Sequence, residues 1–474
     1  MLLLRPSFVL MLAAAWLVGC SGSPSSPSSS MGGGGAIPGG LPARKHGASS
    51  PITHVVIVVQ ENRSFDNLFA RFPGADGATK GRMSGGRSVK LRMENLAEPC
   101  DLGHSRQGYM RDYNHGLMNG FDEETKGKCG PGDAGRLPYQ YVNPAQIAPY
   151  WFIAQQYVLS DHMFQTQGSG SFTAHQDLIR GGTTIDQAKT LSLIDSPSSL
   201  PWGCDAQPGT KTSLVLWKGK ALAYEGNRGP FPCSNDFPAS ANYPTMRDLL
   251  DAKSVSWKYY TPSLSKAGSG AYWNAFDVIA PVRYGPEWGT KVVWPETTIF
   301  NDISSGMLPS VSWVIPRQGN SDHPATGGTD KGPSWVASVI NAIGNTSYWD
   351  TTAIIVVWDD WGGFYDHVKP AGFDHWGGLG FRVPMLIVSP YGRQAVPSKP
   401  GYISHTQYEF GSILKFVEDN WNLGSLGTTD QRATSISDCF DFTQSPRTFT
   451  PIPSSYSREY FLRQPEDDRP VDTE

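Results

Sequence analysis

The chain has 474 residues, with 39 basic and 43 acidic side chains and a net charge of -4, so no basic field recommends nucleic acid as a partner. Its 52 Gly and 37 Pro, beside 15 Trp, 19 Tyr and 21 Phe, describe a loop-rich globular protein and exclude a collagen-like or wholly disordered one. The length admits one large domain with long insertions or two modest ones.

The chain begins as a targeting segment. Arg5 supplies a basic start, and the apolar run from Phe8 to Gly19 is short for a membrane-spanning helix. Leu17-Val18-Gly19-Cys20 resembles a bacterial lipobox, in which the cysteine is acylated. Residues 1–20 are therefore expected to be a signal peptide. Export follows, either as a cell-envelope lipoprotein on the periplasmic or outer-membrane side or as a secreted protein. Residues 21–50 are rich in Ser, Gly and Pro and are expected to form a flexible linker. Cysteine use suits an oxidising compartment: Cys100–Cys129 and Cys204–Cys233 are expected as local disulfides, with Cys439 free or paired otherwise.

The first strong element is His54-Val55-Val56-Ile57-Val58-Val59-Gln60, an apolar run suited to a strand buried on both faces of a parallel sheet. It breaks into Glu61-Asn62. Ser64 to Phe72 is expected to be helical, and 78–145 to form a long insertion above the sheet. Ile147 to Tyr157 has helical spacing, and Val158-Leu159-Ser160-Asp161 reads as a short strand. Gln167-Gly168-Ser169-Gly170 is a tight loop, and the following residues open a helix whose free N–H groups suit a phosphate. Residues 195–238 read as a surface excursion. Helix signals recur at 243–252, 335–343 and 407–421, and strand signals at 255–260, 309–316, 352–358 and 383–389. This alternation implies an α/β fold with a mostly parallel central sheet covered on both faces. The tail from 443 to 474 is Pro- and charge-rich and is expected to wrap the surface.

The second buried strand, Thr352 to Trp358, ends in Asp359-Asp360, as the first ends in Glu61-Asn62. Adjacent carboxylates repel unless a cation or a proton neutralises them. Together these residues make an oxygen-rich set suited to a hard divalent ion. Side chains alternate along a regular strand, so both members of a pair reach one ion only where the strand has opened into a loop. His104 and His323 lie in polar loops close to aspartates and are candidates for proton transfer. His367 and His405 are candidates for holding loops by hydrogen bonds.

Val59-Gln60-Glu61-Asn62-Arg63-Ser64-Phe65-Asp66, the stretch from Asp359 to Val368 and the helix after His405 resemble the bacterial phosphoesterase family. That family includes phosphatidylcholine-type phospholipases C and secreted acid phosphatases. The resemblance runs from about Ile52 to Trp421. It implies an alkaline-phosphatase-like α/β/α sandwich, with 51–442 as the catalytic domain. It also implies one divalent metal ion, calcium or another, held by Glu61, Asn62, Asp359 and Asp360. Ser171 is then the nucleophile, forming a phosphoseryl intermediate, with Ser169 and Thr173 as alternatives. His104 and His323 fall near the phosphoryl group, and His175 and Asp322 are expected to bind substrate. The phospholipase branch commonly has Thr followed by Pro-Asn at the nucleophile. Ser171-Phe172-Thr173-Ala174-His175-Gln176 departs from this and favours a phosphate monoester over a phospholipid diester. A non-catalytic ligand-binding surface lipoprotein is the rival of another class. An acyl-ester hydrolase is disfavoured, because no Gly-x-Ser-x-Gly elbow is present. If Cys20 is acylated, the protein is attached to a membrane.

Overall fold

The computed structural model describes residues 50–474 except 125–134, 240, 265–267, 326–329, 397–400, 467, 468, 470 and 472–474. The expected signal peptide, nearly all of the linker, Cys20 and Cys129 lie outside these residues. Among the described residues, no helix is long and apolar enough to cross a membrane.

The core is an eight-stranded sheet. Its strands are β1 (His54–Gln60), β2 (Val158–Ser160), β3 (Trp257–Tyr260), β4 (Val292–Val293), β5 (Val311–Val314), β6 (Thr352–Trp358), β7 (Met385–Val388) and β8 (Tyr402–Ser404). They stand in the order β4-β3-β5-β1-β6-β7-β2-β8. Within this sheet β7 alone runs against its neighbours. β1 and β6 lie at the centre and are apolar nearly throughout, as a strand with no wet face must be. Each Val or Ile buried there contributes about 1.5–3 kcal/mol.

Register shows that both faces are covered. Ile57 pairs with Trp313 on one side and Ile355 on the other, so these three share a face. Trp358 lies three residues beyond Ile355 and points the opposite way. The Trp313 indole donates to the Leu178 carbonyl of helix Ser171–Arg180 at 3.1 Å. Trp358 meets the ring of Tyr150, from helix Ala148–Gln156, edge-on at 4.9 Å. Helices therefore lie on both faces, and the expected α/β sandwich is what the chain forms. In chain order the helices used below are α1 (Phe65–Phe69), α2 (Arg106–Tyr113), α3 (Ala148–Gln156), α4 (Ser171–Arg180), α5 (Gly332–Gly344) and α6 (Phe410–Trp421). Ser64 caps α1 by accepting the Asn67 N–H at 3.1 Å, and α1 is shorter than the sequence predicts.

The insertion after α1 has its own small core. Tyr109, Phe121, Tyr139, Trp361, Tyr365 and Phe381 pack together and seat it beside the end of β6. The excursion at 195–238 is more ordered than its composition indicates. Ser213–Trp217 pairs with Leu191–Ile194 and Leu222–Glu225 in a three-stranded antiparallel sheet. The Cys204–Cys233 disulfide forms as expected, and Cys439 is buried as a thiol. The tail does more than wrap the surface, since Ile452 and Phe461 are buried in the main core.

Arg382, just before β7, ties the carboxyl ends of the neighbouring strands. Its guanidinium binds Asp366 at 2.8 Å and Asp66 at 3.4 Å, and it donates to the Asp161 carbonyl at 2.7 Å. All three side chains of the ion-pair set are fully buried. Arg382→Leu is therefore expected to destabilise the fold by about 3–5 kcal/mol in urea denaturation, because it strands two buried carboxyls. His367 joins this lock through Asp66 at 2.7 Å. Burial pulls the imidazole down, but the hydrogen bond and charge of Asp66 outweigh it and lift its pKa from 6.5 to about 9. The stabilisation is complete below pH 6.5 and is lost as pH rises through 9. A fall of up to about 3 kcal/mol across that window is expected in the native chain and absent in His367→Gln.

Candidate functional site

Glu61-Asn62 and Asp359-Asp360 leave the sheet side by side. Gln60 and Trp358, the last residues of β1 and β6, are partners in the ladder. Asn62 adopts the left-handed conformation, with φ 58°. Its N–H donates to Asp359 Oδ1 at 2.9 Å, and the Asp359 N–H donates to the Gln60 carbonyl at 2.9 Å. Gly362 follows with φ 59°, and a Cβ there would lie 2.3 Å from the Asn62 carbonyl oxygen. Two nested turns thus replace two alternating strands. They gather four oxygen-bearing side chains into one fully buried group.

Ser171 is the first residue of α4, and Gly170 precedes it in extended conformation. Its hydroxyl donates to Asp360 Oδ2 at 3.4 Å. The alternatives face elsewhere. Ser169 donates to Asp195 Oδ1 at 2.9 Å and accepts the Asp195 N–H at 2.9 Å, and its Oγ lies 3.2 Å from Thr173 Oγ1. Of the three hydroxyls, only that of Ser171 meets the carboxyl group. One helical turn on, His175 Nε2 lies 3.0 Å from Glu61 Oε1 and 3.9 Å from Asp359 Oδ2. His175 therefore stands with the carboxyls.

His104 and His323 come from distant loops, yet their ring centroids are 6.4 Å apart. His104 Nδ1 lies 2.7 Å from the Leu102 carbonyl, and His323 Nδ1 lies 2.7 Å from the Pro324 carbonyl. A carbonyl accepts, so both rings carry a proton on Nδ1. His104 Nε2 then accepts from Asn62 Nδ2 at 2.9 Å. This bond fixes the Asn62 amide and leaves Oδ1 as its second group. Asp322 is placed apart from this set. Its Oδ2 accepts from Tyr150 OH and Trp358 Nε1, both at 2.9 Å, beneath the site.

One site residue had no sequence signal. Trp273 is buried and lies nearly parallel to His175, at 6.4 Å and 7°, and to His323, at 5.8 Å and 24°. It joins two histidines 148 positions apart in the chain, and nothing around Ala271-Tyr272-Trp273 announces this.

Burial pushes the Glu61 carboxyl up to about 8 and that of Asp359 up to about 7, and charge repulsion within the group adds to both. Asp360 is raised well above the ordinary range, first by burial and then by Asp359. Burial also lowers His175 to about 4, so its imidazole is neutral at pH 7. Glu61 Oε2, Asn62 Oδ1 and Asp359 Oδ2 are buried without a hydrogen-bond partner among the described residues. Three orphaned oxygens on residues expected as ligands fit a hard divalent cation. His175 lies close enough to join them.

The fold and site define an α/β protein with an oxygen-rich cation-type centre and a serine at a helix start, both at the carboxyl edge of a mostly parallel sheet. The chain belongs to the Phosphoesterase family, whose model matches residues 52–424. It is similar to the non-hemolytic phospholipase C of Burkholderia pseudomallei, 24% identical over 448 residues, covering 81% of this chain and 57% of the relative. The non-hemolytic phospholipase C of Pseudomonas aeruginosa is 24% identical over 471 residues, covering 88% of this chain and 60% of the relative. This chain thus spans less than two thirds of either relative. Phospholipase C B of Mycobacterium tuberculosis is 25% identical over 460 residues, covering 85% of this chain and 80% of the relative. A solved protein in the alkaline phosphatase superfamily from Vibrio parahaemolyticus aligns at 12% identity and a TM-score of 0.33, covering 83% of this chain and 72% of that one. That likeness is too distant to bear on function.

The carboxyl pKa values make cation uptake pH-dependent. With Glu61 raised from 4.5 to about 8, the folded metal-free chain binds more protons than the unfolded chain across that window. Its stability falls as pH rises there. Divalent-cation uptake at pH 7 is expected to release protons in a weakly buffered indicator assay. The thermal stabilisation by the cation is expected to grow from about pH 5 to about pH 8. Uptake without proton release would contradict the ligand assignment.

Proposed function

We propose that this chain hydrolyses phosphate esters with Ser171 as nucleophile, and that its substrates are phospholipid diesters cleaved in the manner of a phospholipase C. The observation that carries the chemistry is the approach of Ser171 Oγ, at the start of α4, to Asp360 Oδ2. The names of the relatives support the lipid substrate.

Asp360 Oδ2 orients the Ser171 hydroxyl and is in place to accept its proton. Ser171 Oγ attacks phosphorus, and the bond to the alcohol oxygen breaks. The free N–H groups of the first turn of α4 hold phosphoryl oxygens. His104 and His323 keep Nδ1 engaged with backbone carbonyls, so Nε2 is the working edge of each ring. As an imidazolium, one of them gives a proton to the departing alkoxide. Water then attacks the phosphoseryl group and gives a proton to the neutral imidazole, the bond to Ser171 Oγ breaks, Asp360 returns its proton to Ser171, and the phosphoryl product is released. A divalent cation held by Glu61, Asn62, Asp359 and Asp360 would supply charge stabilisation on the phosphoryl oxygens.

A second reading, phosphate monoester hydrolysis, is favoured by the Ser171-Phe172-Thr173-Ala174 stretch, which departs from the phospholipase pattern. The leaving-group pocket separates the two readings. Export, with acylation of Cys20, belongs to either one and is tested by metabolic lipid labelling of native chain against Cys20→Ala.

The purified chain is expected to release p-nitrophenol from p-nitrophenyl phosphorylcholine. Ser171→Ala is expected to lower that rate by at least about 10³-fold while leaving the circular dichroism spectrum unchanged. Ser169→Ala is expected to cost far less. Release from p-nitrophenyl phosphate alone would establish the monoester reading. Full activity in Ser171→Ala would remove Ser171 as nucleophile.

A further inference from the structure

A second cluster stands at the carboxyl edge of the same sheet, on β2 and β8. Ser160 and Ser404 are ladder partners, so Asp161 and His405 leave the sheet at the same level. Asp161 is fully buried. Its Oδ1 lies 2.9 Å from His162 Nδ1 and 3.0 Å from His405 Nδ1, and its Oδ2 lies 2.8 Å from His405 Nδ1. Two imidazoles thus aim the same nitrogen at one carboxylate. One ligand atom from each residue falls within 4.8 Å of the others.

An outer layer holds these groups. Asp161 Oδ2 accepts the Asp76 N–H at 2.8 Å. Asp76 Oδ2 lies 3.4 Å from His162 Nε2, and Asp76 Oδ1 lies 3.2 Å from His367 Nε2. A carboxylate on the far nitrogen of an imidazole is the usual support of a metal-bound histidine. It takes the proton-bearing nitrogen and leaves the other with its lone pair. His405 has the opposite character, with 61% of its side chain exposed, so a solvent position is open beside it.

We propose that Asp161, His162 and His405 bind a second divalent ion, of the zinc class, with solvent completing its coordination. Two imidazoles and one carboxylate suit a borderline-soft ion, whereas the Glu61, Asn62, Asp359 and Asp360 set suits a hard one. His162 and His405 bind through Nδ1 as neutral rings, each with its proton on Nε2, and Asp76 receives that of His162. The ion would join the ends of β2 and β8 to the loop after α1. It takes no part in the ester hydrolysis proposed above.

The test uses the full chain stripped with a chelator and titrated with Co²⁺, read by its visible absorption, and with Zn²⁺, read by elemental analysis. The double variant Glu61→Gln/Asp360→Asn is expected to keep one tight Zn²⁺ or Co²⁺ site, which isolates this cluster from the carboxyl group. On that background, His405→Gln is expected to weaken Co²⁺ binding at least tenfold. Asp76→Asn, which leaves all three ligands in place, is expected to weaken it about 10–100-fold. His405 and Asp76 are both well exposed, and circular dichroism checks that each variant folds. If the double variant binds no ion, or His405→Gln binds as tightly as its parent, the proposal is overturned and the cluster only hydrogen-bonds. Loss of Ser171-dependent turnover with this site intact would count against the proposed catalysis alone.

Discussion

Three carboxyl groups pressed together out of water govern the rest of this structure. Glu61, Asp359 and Asp360 are buried and mutually repulsive, so they stay together only by holding protons or sharing a cation. The backbone accepts strain to bring them there. Asn62 sits at a left-handed φ that costs a non-glycine residue roughly 1–2 kcal/mol. Gly362 takes the matching turn because no side chain fits against the Asn62 carbonyl. Strain at such a point is a mark of function when the surrounding structure enforces it. Here the enforcing parts are β1 and β6, whose ladder runs unbroken from His54 and Thr352 to Gln60 and Trp358.

The remaining groups are aimed by bonds behind them. Backbone carbonyls take Nδ1 of His104 and His323, which turns the other nitrogen of each ring forward. His104 in turn decides which way the Asn62 amide points. Trp273 lies along both His175 and His323, so one indole restrains a ring from each side of the site. Asp322 is a clear case of support from below. Its carboxyl accepts from Tyr150 and Trp358, linking the helix on one face to the last residue of β6, while its backbone carbonyl accepts from Arg63.

What could be read in the sequence follows from the range of the forces involved. β1 and β6 are legible because a strand buried on both faces must be continuously apolar. The pairs that end them are legible because charge beside such a run needs a reason. Opening of the strands at Gln60 and Trp358 follows from side-chain alternation once both members of each pair are to reach one ion. By contrast, Trp273 and Asp322 are set by contacts between distant segments. One Trp among fifteen carries no local sign of its neighbours. The small sheet is also hidden, because two of its three short strands lie inside the Gly- and Pro-rich segment 195–238 and the third, Leu191–Ile194, lies just before it. The choice among Ser169, Ser171 and Thr173 is the sharpest example. Nothing in the local sequence separates them: Ser171 meets Asp360, while Ser169 faces Asp195 and Thr173 faces Ser169.

The reversal of β7 explains how one sheet edge carries two clusters of different character. Because β7 runs against β6 and β2, the residue entering it is delivered where its neighbours end. That residue region holds Arg382, placed between the end of β6 and the end of β2. Its guanidinium neutralises Asp366 and Asp66 and fixes the Asp161 carbonyl. A fully parallel sheet would bring another strand end, and with it another loop, to this point. The antiparallel strand brings a strand start instead, and a cation fits there with both flanking loops. The same guanidinium is thus held by the segments that follow β1, β2 and β6. The second cluster is built on the Asp161 loop that this cation holds, whereas the group at Glu61, Asn62, Asp359 and Asp360 is built on the turns that end β1 and β6.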